Sequence, residues 1–348
     1  MTNPPVQPLA SSQFFGTTPD GKPVYKHRLV NKNGMELHLI DYGATITAIK
    51  IPLENGTLLD VVLGFDTLQH YIDSFASPAR PYFGATVGRY AGRINQGVFV
   101  LNGKKIQLNK NNNEHALHGG IVGFSQAVWT KEEASSNANS LTLTYLSVNN
   151  EEHFPGNMSV SLRFTLTDDN EIQLYYQATS DEDTIINLTH HSYFNLEGQQ
   201  ADLKNQYVFV NSDVIVATTP NNIPTGLFTD LTNHPFKFDP AQKCPQEIDS
   251  SFVLRQNDSV AATLSSTVTG LQMEVYTDQP AVHIYVGGNC FNAIVGKENV
   301  HYHAGSGICF ETQNYADAPN HAHFPNAVLK KGERYQQHTC YKFQKISS

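Results

Sequence analysis

The sequence places a carboxylate, Glu311, directly after a glycine-rich apolar run at residues 305–310. In an extended strand alternate side chains share a face, so Glu311 would project to the side opposite Phe310. A carboxylate in partly apolar surroundings can act as a general base. Two histidines could serve as its acid partner, His118 before a pair of glycines and His191 in a polar and aromatic run. A base and an acid without an evident nucleophile indicate proton-transfer chemistry.

Arg89 and Arg93 lie four residues apart in the run Gly-Arg-Tyr-Ala-Gly-Arg-Ile at residues 88–94. On a strand this spacing predicts that both guanidinium groups share one face, where their donors suit hydroxyl or carboxylate recognition. Surface salt bridges are the alternative, although the glycines would let a ligand approach the backbone. In the run Thr-His-His-Ser-Tyr-Phe-Asn at residues 189–195, strand alternation predicts that His190 and His191 project from opposite faces.

The 15 histidines of the chain make a metal site an alternative to be tested. His301 and His303 would share a strand face, but Glu311 follows His303 by eight residues, a longer separation than in cupin-type metal sites. Zinc-type Cys/His spacing is absent from the sequence. We therefore expect no metal. Glu311 and Asp249 could also supply the two carboxylates of a glycosidase, so hydrolysis stays open at this point.

The composition excludes several classes of partner. Of the 348 residues 16% are charged and 40% are hydrophobic, and the net charge is −9 without a basic run. We therefore expect no nucleic-acid partner, and no apolar stretch is long enough to predict a membrane span. The four cysteines include no Cys-x-x-Cys pair, which is typical of thiols in a reducing compartment. These features indicate a cytoplasmic protein, unless a signal peptide has been removed.

Alternating apolar and polar residues dominate the chain and predict many short strands. The clearest runs are residues 36–40, 45–51, 60–64, 98–101, 104–108, 140–148, 158–167, 171–178, 271–277 and 282–286. Helical patterns are limited to residues 67–74 and 242–248. The pattern predicts an all-β fold, a sandwich or barrel of mostly antiparallel strands. No linker divides the chain, so we expect one domain over residues 1–348, with residues 1–12 as a loose extension.

Taken in order, several motifs resemble those of the aldose 1-epimerases, also called galactose mutarotases. They are Gly-Arg-Tyr-Ala-Gly-Arg-Ile at 88–94, Leu-His-Gly-Gly at 117–120, Asn-Leu-Thr-His-His-Ser-Tyr-Phe-Asn-Leu at 187–196, Ile-Pro-Thr-Gly at 223–226, Glu-Val-Tyr-Thr-Asp-Gln-Pro at 274–280 and Glu-Thr-Gln at 311–313. The resemblance extends from about residue 20 to the C-terminus. It implies a large β-sandwich that interconverts the α- and β-anomers of free aldoses without a cofactor.

The resemblance also implies roles for six side chains. Glu311 corresponds to the general base of the family and His191 to its general acid. The implied substrate-binding residues are Arg93, His118, Asp249 and Gln279. The sequence departs from the family pattern in two places, with His115 instead of asparagine and Ser250-Ser251 instead of His-Asn. Both departures leave the catalytic pair in place and bear on sugar preference.

Other functions stay open at the level of the sequence. A protein of the same fold could bind sugars without catalysis, and a histidine-rich enzyme could depend on a metal. A sugar-phosphate epimerase is not favoured, because the chain lacks a basic cluster that would neutralise a phosphate. Our interpretation is a cofactor-free epimerase that acts on a small neutral sugar, galactose or glucose, as a monomer or homodimer.

Overall fold

The computed structural model of the protein describes residues 11–255, 259–288, 290 and 294–346. The described residues form three larger sheets in which the paired strands run antiparallel. An N-terminal sheet has five strands in chain order: Ser11–Thr17, Pro23–Val30, Glu36–Ile40, Thr45–Pro52 and Leu58–Asp60. The predicted all-β class with mostly antiparallel strands is confirmed.

Two further sheets contain most of the remaining chain. The large sheet has nine strands in the spatial order Thr130–Lys131, Ser140–Ser147, Met158–Leu166, Glu171–Ser180, Arg334–Lys345, Leu271–Thr277, Ala262–Ser266, Gln206–Val210 and Gln242–Lys243. The site sheet, named for the cavity on one of its faces, has six strands in the order Tyr193–Phe194, Ile308–Gln313, Ala281–Val286, Ile248–Leu254, Ser212–Thr218 and Pro224–Asp230.

Short elements connect these sheets. Five two-stranded pairs are Arg93–Ile94 with Ala116–Leu117, Thr86–Val87 with Thr189–His190, Val98–Leu101 with Lys104–Gln107, Thr184–Ile185 with Val328–Leu329, and Ile294–Val295 with His301–Tyr302. The short 3-10 helices are Asn95–Gly97, Phe124–Gln126, Glu133–Ser135, Glu151–His153, Leu203–Asn205, Lys297–Asn299 and Ala318–Asn320. The described part of the chain has one α-helix, Leu68–Ala76, and Thr67 caps its first turn by accepting a hydrogen bond from the backbone amide of His70.

The main hydrophobic core lies between the sheets. It includes Leu174 of the large sheet together with Ile284 and Phe310 of the site sheet. Because side chains alternate along a strand, the neighbouring residues His283 and Glu311 project from the opposite face of the site sheet. One face of this sheet therefore belongs to the core, and the other is available for a polar cavity. Among the described residues, no helix has the length and apolarity needed to cross a bilayer.

The structure corrects two predicted elements. Residues 242–248 do not form a helix, because Gln242–Lys243 pairs with the strand Gln206–Val210 and Pro245 cannot occupy a helix interior. The strand predicted at 60–64 instead ends at Asp60. Of the predicted extension 1–12, residues 1–10 lie outside the described part, whereas residues 11 and 12 already belong to the first strand. The single domain over 1–348 stays a prediction.

Candidate active site

A cavity of about 480 Å³ opens on the polar face of the site sheet. Its volume lies within the range of about 300–1,000 Å³ that is usual for small-molecule sites. The lining residues that carry the chemistry are Tyr82, Arg93, Asn112, His118, His191, Asn222, Asp249, Ser251, His283, Tyr285, Glu311 and Gln313. Five of the six predicted site residues therefore meet in one cavity.

Glu311 and His191 lie side by side in the lining of this cavity. The strand Ile308–Gln313 is buried along its whole length and fixes the backbone of Glu311. The segment at His191 is held by its amide, which donates to Ala85, and by its carbonyl, which accepts from Gly84. The two side chains meet with His191 Nε2 3.4 Å from Glu311 Oε1. Glu311 Oε2 is buried and has no hydrogen-bond partner among the described residues, so it can accept a proton from a ligand.

Three neighbours fix the imidazole of His191. The ring of Tyr82 stacks on it at a centroid distance of 5.8 Å and an interplanar angle of 28°, and the ring of Tyr193 lies at 5.2 Å. Cys309 Sγ lies 3.6 Å from His191 Nδ1 on the side away from Glu311. Burial lowers the pKa of His191, although the charge of Glu311 opposes this shift. The neutral imidazole is therefore the major form near neutral pH.

His118 enters the cavity from the turn after Ala116–Leu117. Its backbone φ is +52°, and the next residue, Gly119, passes so close to Gly88 that an added Cβ would lie 1.8 Å from the Gly88 carbonyl oxygen. The amide of Gly92 donates to His118 Nδ1 at 3.2 Å. Burial, His191 and Arg93 hold the pKa of His118 well below its ordinary value. His118 is therefore neutral with its proton on Nε2, which makes it a hydrogen-bond donor.

The same groups bear on the metal alternative. Ligand atoms of His118, His191 and Glu311 lie within 4.8 Å of one another, a spacing that could hold an ion. However, the Gly92 amide occupies Nδ1 of His118, so the other nitrogen of this neutral ring carries a hydrogen rather than a free lone pair. The three groups therefore fit a hydroxyl-bearing ligand better than a metal. His301 and His303, considered in the sequence, do not line the cavity.

Arg93 and Asp249 occupy other parts of the cavity lining. Arg93 Nε donates to Asn112 Oδ1 at 3.2 Å, which orients the guanidinium in the cavity lining. Asp249 Oδ2 accepts from Asn222 Nδ2 at 2.7 Å, and Asp249 Oδ1 lies 3.0 Å from His283 Nε2. Burial raises the pKa of Asp249, but the hydrogen bond and charge of His283 outweigh it and the net shift is downward. Asp249 is therefore ionised and can accept hydrogen bonds from hydroxyl groups.

Gln279 does not line the cavity. It lies on the turn before the strand Ala281–Val286, where its amide donates to the neighbouring Asp278 carboxylate at 2.9 Å. The cavity instead contains His283, which sequence reasoning missed. A signal was present, since a histidine interrupts an apolar strand, but only the register of the sheet shows that His283 pairs with Glu311. The role of Gln279 as a sugar ligand stays a prediction that the cavity geometry does not support.

The expectation that Arg89 and Arg93 share a strand face is wrong. Of residues 88–94 only Arg93–Ile94 is a strand, and Arg89 is 1% exposed. Its guanidinium donates to the Ser147 hydroxyl at 2.7 Å and to the Pro155 carbonyl at 2.9 Å, so it anchors neighbouring loops.

The residues that depart from the family pattern differ in their distance from the cavity. Nδ1 of His115 accepts from the Gln96 amide at 3.1 Å, and His115 does not line the cavity. Ser251 faces the cavity beside Asp249, whereas alternation turns Ser250 away from it. His190 is buried behind the cavity, with its ring 6.0 Å from that of Phe164. Ser251 is therefore the departure closest to a bound ligand.

The fold and the cavity define an all-β protein in which a buried carboxylate and an imidazole share one site, and known proteins are similar to it in sequence and fold. The sequence model of the family described as Aldose 1-epimerase matches residues 25–342. The chain is 36% identical over 340 residues to galactose mutarotase of Bos taurus, across 94% of this chain and 97% of that protein. It is also 36% identical over 342 residues to aldose 1-epimerase of Haemophilus influenzae, with coverage of 94% and 97%.

A solved structure agrees with these relatives. The GalM/aldose epimerase homologue from C. elegans superimposes with a TM-score of 0.86 at 26% identity, over 97% of this chain and 100% of that chain. The chain therefore belongs to the aldose 1-epimerase family, and it is an isomerase. The predicted family and its galactose mutarotase-like β fold are confirmed.

Proposed function

We propose that this protein interconverts the α- and β-anomers of free galactose and glucose. The observation that carries the proposal is the buried pair of Glu311 and His191, whose facing atoms are 3.4 Å apart in a cavity of sugar-binding size. A hexose hemiacetal has two oxygens on one carbon, and ring opening must deprotonate one of them and protonate the other. A carboxylate and an imidazole next to each other can reach these two oxygens and do both without a cofactor.

Ring opening proceeds in one balanced step in this proposal. Glu311 removes the proton of the C1 hydroxyl while protonated His191 delivers a proton to the ring oxygen, and the bond between C1 and the ring oxygen breaks. Rotation about the C1–C2 bond then presents the other face of the carbonyl. For closure, neutral His191 removes the proton of the C5 hydroxyl and Glu311 returns its proton to the carbonyl oxygen. The two residues end in their starting protonation states.

The other cavity residues orient the sugar in this mechanism. Arg93 and the Nε2–H of His118 supply donors to sugar oxygens, and the Asp249 carboxylate accepts from hydroxyl groups. Polar groups arranged for a hydroxyl also discriminate against a sugar that lacks it, because they are then left buried and unpaired. The number of such groups supports a free polyhydroxylated substrate.

Polarimetry of freshly dissolved α-glucose and α-galactose tests the proposal. We expect the purified protein to accelerate the relaxation of optical rotation and Glu311→Gln to reduce that acceleration by about 10²–10⁴-fold, the usual contribution of a placed acid or base. Glu247→Gln is the matched control, because it removes the same charge at an exposed position outside the cavity. A wild-type rate in Glu311→Gln would contradict the assignment of the base.

Other results of this assay would indicate other functions. Saturable sugar binding without acceleration would identify a sugar-binding protein on the same fold. Loss of activity after treatment with a chelator would contradict cofactor-free catalysis. A panel of aldoses in the same assay would establish which sugar is preferred.

We also propose that the protein is cytoplasmic and is a monomer or homodimer. The first rests on the wide spacing of the four cysteines in the sequence, and cell fractionation tests it. Size-exclusion chromatography with light scattering tests the second, since a larger assembly would exclude both states.

A further inference from the structure

His283 belongs to a row of polar residues that crosses the site sheet. In the register of neighbouring strands it pairs with Glu311 on one side and with Ser251 on the other. All three side chains line the cavity. Asp249 lies two residues before Ser251 and shares its face, so the imidazole can reach both of them. His283 thus lies between the proposed base and a proposed sugar ligand.

Both ring nitrogens of His283 are engaged by protein groups. Nδ1 lies 2.8 Å from Ser251 Oγ, and Nε2 lies 3.0 Å from Asp249 Oδ1. Asn222 completes the chain by donating to the other oxygen of Asp249 at 2.7 Å. A ring with both nitrogens occupied has no polar atom left for a sugar, whereas each oxygen of Asp249 keeps a second lone pair. Of its two hydrogen-bonded partners, Asp249 is the charged one, and it is the group through which His283 can orient a sugar ligand.

We propose that His283 is a positioning residue that holds the Asp249 carboxylate in its sugar-binding orientation and strengthens this hold when protonated. The proposal rests on the proposed function of the cavity, since it requires that Asp249 contacts the substrate. A neutral imidazole already makes a charge-assisted hydrogen bond to this carboxylate, and protonation adds the attraction between two opposite charges. A protonated imidazole therefore restrains the carboxylate more firmly than a neutral one, although both forms can donate through Nε2.

The surroundings of His283 support its protonation. Burial lowers the pKa of His283, but the hydrogen bond and charge of Asp249 outweigh it, with a further contribution from Glu311. Arg93 opposes protonation of His283, and His118 and His191 also interact electrostatically with it. Tyr285 is a further titratable group in the cavity lining. The net shift is upward, so the protonated form persists above the ordinary pKa of histidine, about 6.5. The affinity for sugar should then weaken as the pH rises through the raised pKa.

His283→Gln separates the two parts of the proposal, namely the orientation of Asp249 by a hydrogen bond and the additional effect of protonation. The glutamine amide offers a donor nitrogen and an acceptor oxygen, where neutral histidine offers a donor and an acceptor nitrogen, but it does not titrate. In calorimetric titrations with galactose, His283→Ala should raise Kd about tenfold, which is the loss expected for one hydrogen bond to a charged group. His283→Gln should recover most of that loss. The wild-type Kd should rise with pH toward the Kd of His283→Gln, which should vary less over the same interval.

A double-mutant cycle with Asp249→Asn tests whether His283 acts through Asp249. If it does, His283→Ala should add little to the Kd of the Asp249→Asn variant. Additive losses, or equal pH dependence in wild type and His283→Gln, would overturn the proposal. Circular dichroism checks that each variant is folded, and His283→Gln keeps the test valid if the alanine variant is not.

The outcomes also separate this inference from the proposed function. Additive losses of affinity in a protein that accelerates mutarotation would contradict only the role of His283. Full coupling in a protein that binds galactose without mutarotation would contradict only the proposed catalysis. Failure to bind any of the tested aldoses would overturn both.

Discussion

The lowered pKa of His191 determines how the proposed reaction should depend on pH. Catalysis needs this imidazole in its protonated form, and burial makes that form scarce near neutral pH. As the pH rises above the lowered pKa, the protonated fraction falls about tenfold per unit. We therefore expect kcat/KM for galactose to decrease as the pH rises through and above about 6.5, the ordinary pKa of histidine.

Stopped-flow or conventional polarimetry, corrected for the uncatalysed rate at each pH, measures this profile. His191→Asn should reduce kcat/KM by about 10²–10⁴-fold and abolish the descending limb, because asparagine does not titrate. A rate constant that increases with pH in the wild type would contradict the acid role of His191.

Arg93 should contribute to sugar binding through the geometry of its donors. Lysine keeps the charge but loses the planar fork and the hydrogen bond from Nε to Asn112. We expect Arg93→Lys to raise KM for galactose about tenfold, the cost of one hydrogen bond to a charged group, with a smaller change in kcat. Steady-state polarimetry measures both constants. Asn112→Ala is the control for orientation alone and should have a smaller effect, whereas an unchanged KM in Arg93→Lys would exclude this role.

At this scale, the sequence predicted Glu311, His191 and three of the proposed sugar ligands, which the structure brings into one cavity. It did not indicate His283, because a linear motif contains no information on strand register. Gln279 and His283 are four residues apart, and only the pairing of Ala281–Val286 with Ile308–Gln313 shows that His283 lies opposite Glu311. A contact between strands distant in sequence cannot be obtained from the residues of one strand.

At the scale of elements, the sequence predicts those turns and helix starts that depend on residues close together in the chain. The runs predicted at 98–101 and 104–108 pair as a hairpin through Asn102-Gly103, a dipeptide that favours two-residue turns. The helix Leu68–Ala76 starts after Thr67, which acts as its N-cap. By contrast, the edge strand Gln242–Lys243 has no alternating pattern of its own and exists through pairing with another strand. Predicting such a strand requires knowledge of the strand with which it pairs.

The turn that carries His118 should tolerate no side chain at Gly119. Its φ is +87°, and an added Cβ would collide with the Gly88 carbonyl oxygen. Gly119→Ala should therefore displace His118, lower kcat/KM, and reduce the free energy of unfolding by more than the roughly 1–2 kcal/mol of a left-handed alanine. Polarimetry and urea denaturation measure these changes.

Gly103→Ala is the matched control for this substitution. Gly103 has a φ of +74° but no non-neighbouring heavy atom within 4 Å of an added Cβ. It should show the backbone cost of about 1–2 kcal/mol alone, with kcat/KM unchanged, because its hairpin does not line the cavity. Equal losses in the two variants would show that the contact with Gly88 is unimportant.

At the scale of the whole molecule, buried histidines should make stability depend on pH. Burial lowers the pKa of His27 to about 4 and that of His190 to about 3. The unfolded chain, with histidine pKa values of about 6.5, binds protons that the folded protein excludes. This contribution to stability is therefore complete above pH 6.5 and is lost as the pH falls toward 4 and then 3. His283, with its raised pKa, acts in the opposite sense and only above pH 6.5.

Urea denaturation as a function of pH measures this effect. For each buried histidine, the free energy of unfolding should fall by about 1.4 kcal/mol for every unit that the pH decreases between the unfolded and the folded pKa of that histidine. His27→Gln should flatten the profile between pH 6.5 and 4, and His70→Gln, at an exposed position, is the control substitution. Parallel profiles for wild type and His27→Gln would contradict the assignment to His27.

The position of Arg334–Lys345 in the large sheet has a consequence for synthesis of the protein. This strand lies between Glu171–Ser180 and Leu271–Thr277, yet it follows both of them in the chain. During translation its two neighbours leave the ribosome first, each with an unpaired edge. Nascent chains arrested before residue 334 should therefore remain sensitive to protease and dependent on chaperones. Resistance should appear only when the last strand is released and joins the two parts of the sheet.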